Sequence, residues 1–177
     1  MDSKKKSQFI EYFSKGIKNS NQLKIGVEHE RFLFEGQNKK RISYETLKKL
    51  FENLKKNGWN PLFEKENIIG MQRNNQQITT EPGLQCELSG APLENIHQTC
   101  NEVHSHLNQV KEVAEDIGIG FIGVGFNPKW KRDDIPWMPK GRYKIMQSYM
   151  PNVGSLGIDM MVRTSTVQVN LDFLSEA

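Results

Sequence analysis

In the segment TSTVQVNLDF (164–173), Thr166, Gln168, Asn170 and Asp172 alternate with Val167, Val169, Leu171 and Phe173. Period-2 alternation sends each set to its own face of a β-strand. A face that merely meets solvent is rich in Lys, Glu and Arg. One made only of hydroxyl, amide and carboxylate groups suits a polar site that holds metal-bound or hydrogen-bonded substrate oxygens. The segment 25–34 (IGVEHERFLF) repeats the pattern, with Glu28 and Glu30 on one face and Val27, His29, Arg31 and Leu33 on the other. Two carboxylates about 6.6 Å apart along a strand raise each other's pKa unless a cation neutralises them, and hard divalent cations such as Mg²⁺ take carboxylate oxygens. In 79–90 (TTEPGLQCELSG), Gln85, Glu87 and Ser89 alternate with Cys86 and Leu88 after a Pro-Gly turn, which supplies a third acidic and amide-rich strand.

The surrounding elements must bring these strands together. Apolar spacing predicts a packing helix over 7–18 (Phe9, Ile10, Phe13, Ile17). It predicts a second helix capped by Ser43, with Leu47, Leu50, Phe51 and Leu54 inward and Gly58 as its stop. Residues 68–73 and 77–80 flank Asn74-Asn75 as a hairpin leading into the turn at Glu81. After Pro92 a long helix aligns Leu93, Ile96, Cys100, Val103, Leu107, Val110, Ala114 and Ile117 and ends at Gly118. A short strand over 120–126, a loop over 127–139, a helix over 143–149 and a turn over 151–157 complete the order. Polar-faced strands far apart in sequence and separated by helices fit an α+β domain with helices on one face of an antiparallel sheet. No repeat, low-complexity tract or linker divides the chain, so 1–177 reads as part of a single domain.

The 177 residues, 36% hydrophobic and 25% charged, are sufficient for one core and ordinary for a folded protein. A net charge of +3 and one short basic patch with a tryptophan, 129–132, point to no nucleic-acid partner. No apolar run reaches the roughly 18 residues that span a bilayer, and no apolar leader opens the chain, so the expectation is no membrane partner and a cytoplasmic location. In that compartment Cys86 and Cys100 stay free thiols. GIGFIG (118–123) satisfies G-x-G-x-x-G but follows a helix and opens a strand, the reverse of a dinucleotide fingerprint. There is no P-loop. His97, Cys100 and His104 span about 10 Å of helix, too far for one zinc ion.

Four motifs in one order, GVEHE (26–30), EPGLQCELSGAP (81–92), MPKGRY (138–143) and TVQVNLD (166–172), resemble glutamate–cysteine ligase of the plant and proteobacterial type. The resemblance runs from about Leu23 to the end. It implies an incomplete glutamine synthetase-like catalytic fold, of which this chain is the N-terminal portion. The implied activity is ATP- and Mg²⁺-dependent joining of the γ-carboxylate of glutamate to cysteine through γ-glutamyl phosphate, giving γ-glutamylcysteine for glutathione synthesis. Leu84 and Cys86 depart from the pattern, which usually has glycine and an aromatic residue there. Leu84 in particular replaces a residue that takes positive φ readily.

The resemblance makes Glu28, Glu30 and Glu87 the metal candidates. Gln168, Asn170 and Asp172 extend the metal and water shell or hold substrate and nucleotide. Arg142 and Arg163 pair with the α-carboxylate of glutamate or with the transferring phosphoryl group, the alternative being surface ion pairs. Glutamate, cysteine and ATP are the implied small-molecule partners, and oligomeric state is not read from the sequence. A related ligase with another amine acceptor and a non-catalytic fragment are the rival readings.

Overall fold

The computed structural model describes residues 3–175. Its elements are α1 (Ser3–Ser14), β1 (Ile25–Glu35), β2 (Lys40–Arg41), α2 (Tyr44–Leu54), β3 (Asn60–Glu64), β4 (Asn67–Arg73), β5 (Gln76–Thr80), β6 (Cys86–Ser89), α3 (Ile96–Ile117), β7 (Ile119–Ile122), α4 (Gly141–Val153), α5 (Gly157–Arg163) and β8 (Val167–Leu171). The architecture is α+β. Among the described residues an eight-stranded sheet runs β2-β1-β6-β5-β4-β3, with β7 and β8 also paired to β1. Every strand pair is antiparallel.

Local chemistry accounts for much of this. Ser43 Oγ accepts from Thr46 N at 3.1 Å and opens α2, whose Leu47, Leu50, Phe51 and Leu54 are buried. Gly58, at φ 81°, ends the short turn that follows. Asn74, at φ 52°, makes the tight β4–β5 connection. Asn95 Oδ1 accepts from His97 N and Gln98 N and starts α3, and Gly118, at φ 72°, stops it.

α2 packs on α3, and α3 lies against β1 and β7. α4 and α5 are tied instead to the β5–β6 turn. There Met138 N donates to Pro82 O and Gln85 Nε2 donates to Met161 O. The single helical layer expected from sequence is therefore met by α2 and α3 only.

Four expectations need correction. The apolar stripe of α1 is not packed: Phe9, Ile10 and Phe13 are all more than half exposed. The oily side of β8 is uncovered too, with Val167 67% and Leu171 69% exposed, because β8 is paired through β1 alone and nothing described lies over it. The buried face of α3 is rotated, taking in Thr99, Glu102 and His106 in its first half while Ile96 and Cys100 stay exposed. Glu102 is held inward by Gln76 Nε2 at 2.6 Å and Ala91 N at 2.8 Å, and Thr99 Oγ1 donates to Asn95 O at 3.3 Å. Finally, the turn expected over 151–157 is mostly helical, since α4 runs through Pro151 to Val153 and α5 follows.

Candidate active site

Cross-strand register gathers the acidic residues. On β1, Glu28 faces Ser89 of β6 on one side and Gln168 of β8 on the other. Glu30 faces Glu87, and Gly26 faces Asn170. Directly opposed residues share a sheet face, so Glu28, Glu30, Glu87, Gln168 and Asn170 lie on one side. The side chains bond locally there. Glu28 Oε1 accepts from Asn170 Nδ2 at 3.0 Å, and Asn170 Oδ1 accepts from Gln168 Nε2 at 3.1 Å. Glu30 accepts from Thr166 N at 3.0 Å and from Thr166 Oγ1 at 2.9 Å. Glu87, 8% exposed, accepts from Ser89 Oγ at 2.6 Å.

Two residues are not drawn in. The chain leaves β8 after Leu171, and Asp172 accepts from Lys24 N at 3.0 Å, tying the strand end to the start of β1 and not to the amide face. The Arg163 guanidinium, at the end of α5, is bonded to Asp159 at 3.1 Å and lies 4.6 Å from the Phe126 ring. The surface ion pair is thus the reading its geometry supports. Arg142 is different. It donates to Tyr143 Oη at 3.1 Å, and its charge acts on Glu81 and Glu87.

The structure adds two residues that strand periodicity missed. Glu81, in the β5–β6 turn, has its carboxyl pushed up to about 7 by burial, by the charge of Glu87 and by a hydrogen bond with it. Lys140 is buried and donates to Thr80 O at 2.8 Å; burial brings its ammonium down to about 8 against the opposing pull of Glu81 and Glu87. Tyr143 Oη donates to the same carbonyl at 2.8 Å, so the start of α4 is pinned beside the acidic turn. Both missed residues lie inside motifs singled out from sequence, but in turns, where alternation carries no signal.

The turn keeps its shape without glycine at 84. Leu84 takes φ 61° with its side chain fully buried, and Glu81 N to Gln85 O and Leu84 N to Glu81 O, each 3.0 Å, close it. Cys86 is a buried free thiol pushed up to about 12, which leaves it without nucleophilic character.

As the side chains stand, no three His, Cys, Asp or Glu groups among the described residues converge on a point that would hold a metal ion. The donor chemistry nonetheless fits a hard divalent cation. Glu28, Glu30 and Glu87 share a face, and beside them burial first, then the charge of Glu87, hold the Glu81 carboxyl up at about 7. Glu28 and Glu87 each use one carboxylate oxygen in their bonds to Asn170 and Ser89, which leaves further acceptor sites on these groups for an ion.

Fold and site define an α+β domain whose sheet presents a carboxylate and amide face flanked by Lys140 and Arg142. Residues 24–177 match Glutamate-cysteine ligase family 2 (GCS2), and the chain belongs to that family. It is 56% identical to a chloroplastic glutamate–cysteine ligase of Medicago truncatula over 97% of its own length and 34% of the relative's. With the Arabidopsis thaliana protein of the same name it is 54% identical over 97% and 33%. The chain thus spans about a third of the length of the curated relatives it matches. These relatives are chloroplastic by name, as is that of Nicotiana tabacum, which overturns the cytoplasmic expectation. An N-terminus without an apolar leader does not distinguish cytosol from plastid.

Proposed function

We propose that the chain carries the acidic wall of a glutamate–cysteine ligase centre on part of a glutamine synthetase-like fold, and that the whole enzyme joins the γ-carboxylate of glutamate to the amine of cysteine at the expense of ATP. The observation that supports this most is the register that lines up Glu28, Glu30 and Glu87 beside Gln168 and Asn170, within the matched family segment.

An amide forms from a carboxylate at neutral pH only once a carboxylate oxygen becomes a leaving group. Phosphoryl transfer from ATP to that oxygen, giving γ-glutamyl phosphate, does so, and the amine then displaces phosphate. Such transfers depend on positioning and charge neutralisation more than on protein nucleophiles. Glu28, Glu30, Glu87 and Glu81 are the residues that would hold Mg²⁺, which when bound offsets charge on the phosphates. Gln168 and Asn170 orient Glu28 and offer amide donors to substrate oxygens. Lys140 and Arg142, on the opposite flank of Glu81, are placed to meet a carboxylate or phosphoryl oxygen. Asp172 and Arg163 support the strand end and α5.

The test is ADP release by a ligase containing this segment, with glutamate plus cysteine beside glutamate plus other amines. ADP release only with cysteine is expected. Equal release with other amines points to a related carboxylate–amine ligase, and no release under any condition overturns the reading.

A further inference from the structure

β1 is paired with β7 through residues 32–35 and with β8 through residues 25–29, the last contact towards β8 being Glu30 N donating to Thr166 O at 3.0 Å. Where β7 and β8 part, a cavity of about 420 Å³ opens between β1, the Gly123-Val124-Gly125 turn and the segment 165–167. Its far side is closed by Ser165 N donating to Gly125 O at 3.2 Å and Asn127 N donating to Arg163 O at 2.8 Å.

Two groups in this wall lack partners. The Arg31 guanidinium lies so close to Gly123 that a Cβ there would clash with it. Among the described residues it has no hydrogen-bond or ion-pair partner. Ser165, 5% exposed, has a buried hydroxyl with no partner. A half-buried cation and a buried hydroxyl that line one cavity are costly unless an acceptor meets them. His29, on the same wall, is kept in its neutral form by burial and by Arg31, and among the described residues no hydrogen bond joins it to Arg31 or Ser165.

We propose that this cavity is an oxyanion subsite for the carboxylate of an α-amino acid, held by the Arg31 fork and the Ser165 hydroxyl. The glycines keep the space clear and leave the Arg31 nitrogens uncovered. A planar carboxylate matches the paired donors of a guanidinium. Glu30 is among the residues that line the cavity, and its carboxylate is turned to Thr166 on the acidic face of β1, away from the Arg31 fork. The choice of amino acid rests on the ligase reading, and glutamate is the probe.

The experiment is an NMR titration of the ¹⁵N-labelled 177-residue chain, free of divalent metal, with L-glutamate and separately with inorganic phosphate. The expected result is saturable shifts of the Gly123, Gly125, Ser165 and Thr166 amides with L-glutamate, at least tenfold weaker affinity in Arg31→Gln and partial recovery in Arg31→Lys. Ser165→Ala, which alters one hydroxyl, is expected to weaken binding about threefold or more and serves as well should Arg31→Gln not fold. Unchanged affinity in these variants, or shifts confined to other amides, overturns the subsite. Phosphate binding as tightly as glutamate overturns the amino-acid assignment. These amides titrating in a chain whose parent ligase forms no dipeptide sinks the ligase reading and not the subsite; silent amides beside an active ligase do the reverse.

Discussion

Leu84 combines a backbone conformation that favours glycine with a side chain that belongs to the core. Positive φ costs a leucine about 1–2 kcal/mol, whereas losing a buried leucine side chain costs about 2–5 kcal/mol. Burial therefore wins, and the turn beside Glu81 tolerates the departure from glycine. Both Leu84→Gly and Leu84→Ala are expected to destabilise the chain, with alanine the worse of the two, because it keeps the backbone cost and loses most of the packing. Urea unfolding of the pair checks this, and an alanine variant as stable as the glycine one would contradict the positive φ. His106 offers a pH test on the opposite side of the sheet. Burial, reinforced by Arg31, His29 and Arg73, brings its imidazole down to about 4, and Glu102 is the nearby carboxylate on its own helix. Between pH 6.5 and 4 the unfolded chain takes up a proton that the folded chain refuses, so stability falls as pH drops through that window. The loss should approach 3 kcal/mol from this group. His106→Gln should flatten that part of the stability curve, measured as denaturation midpoints at pH 7 and pH 4.5. An unchanged slope would place the titration elsewhere.

At the scale of elements, sequence pattern was informative about faces and uninformative about what covers them. Alternation in β1, β6 and β8 put the carboxylates and amides on one side, and the register bears that out. The same alternation said nothing of whether Val167, Val169 and Leu171 would be covered, because burial depends on a neighbour and not on period. In α3 the apolar count pointed to a stripe through Ile96 and Cys100. The helix instead turns Glu102 and His106 inward, where Glu102 accepts from Gln76 Nε2 at 2.6 Å and from Ala91 N at 2.8 Å, partners on β5 and after β6 that the period of the helix does not show. Glu81 and Lys140 escaped detection for a related reason, since a turn has no periodicity to read. The uncovered side of β8 has a measurable consequence. An exposed apolar edge strand templates association between chains, so Val169→Lys should reduce concentration-dependent light scattering severalfold while changing the unfolding free energy by less than about 0.5 kcal/mol. Undiminished scattering would show that β8 is not the adhesive edge.

For the whole molecule, the relevant scale is the third of the relatives' length that this chain spans. Its acidic face has carboxylates in register, yet each is bonded to a local partner, and no three of the described acidic, thiol or imidazole groups converge on one point. Charge stabilisation of phosphoryl transfer depends on donors fixed before the reaction, and losing a single preorganised donor commonly costs a factor on the order of 10²–10³ in rate. The apolar residues of α1 and β8, exposed together in this chain, mark surface that a larger assembly would bury. Hence the chain of 177 residues, assayed alone with Mg²⁺, ATP, glutamate and cysteine, should bind Mg²⁺ weakly and form γ-glutamylcysteine at least about a thousandfold more slowly than a version extended to the length of the relatives. Glu28→Gln in the extended version should bring its rate down towards that of the short chain. Comparable dipeptide formation by the short and extended proteins would mean that the catalytic unit is complete within these residues, and the carboxylates would then have to converge unaided.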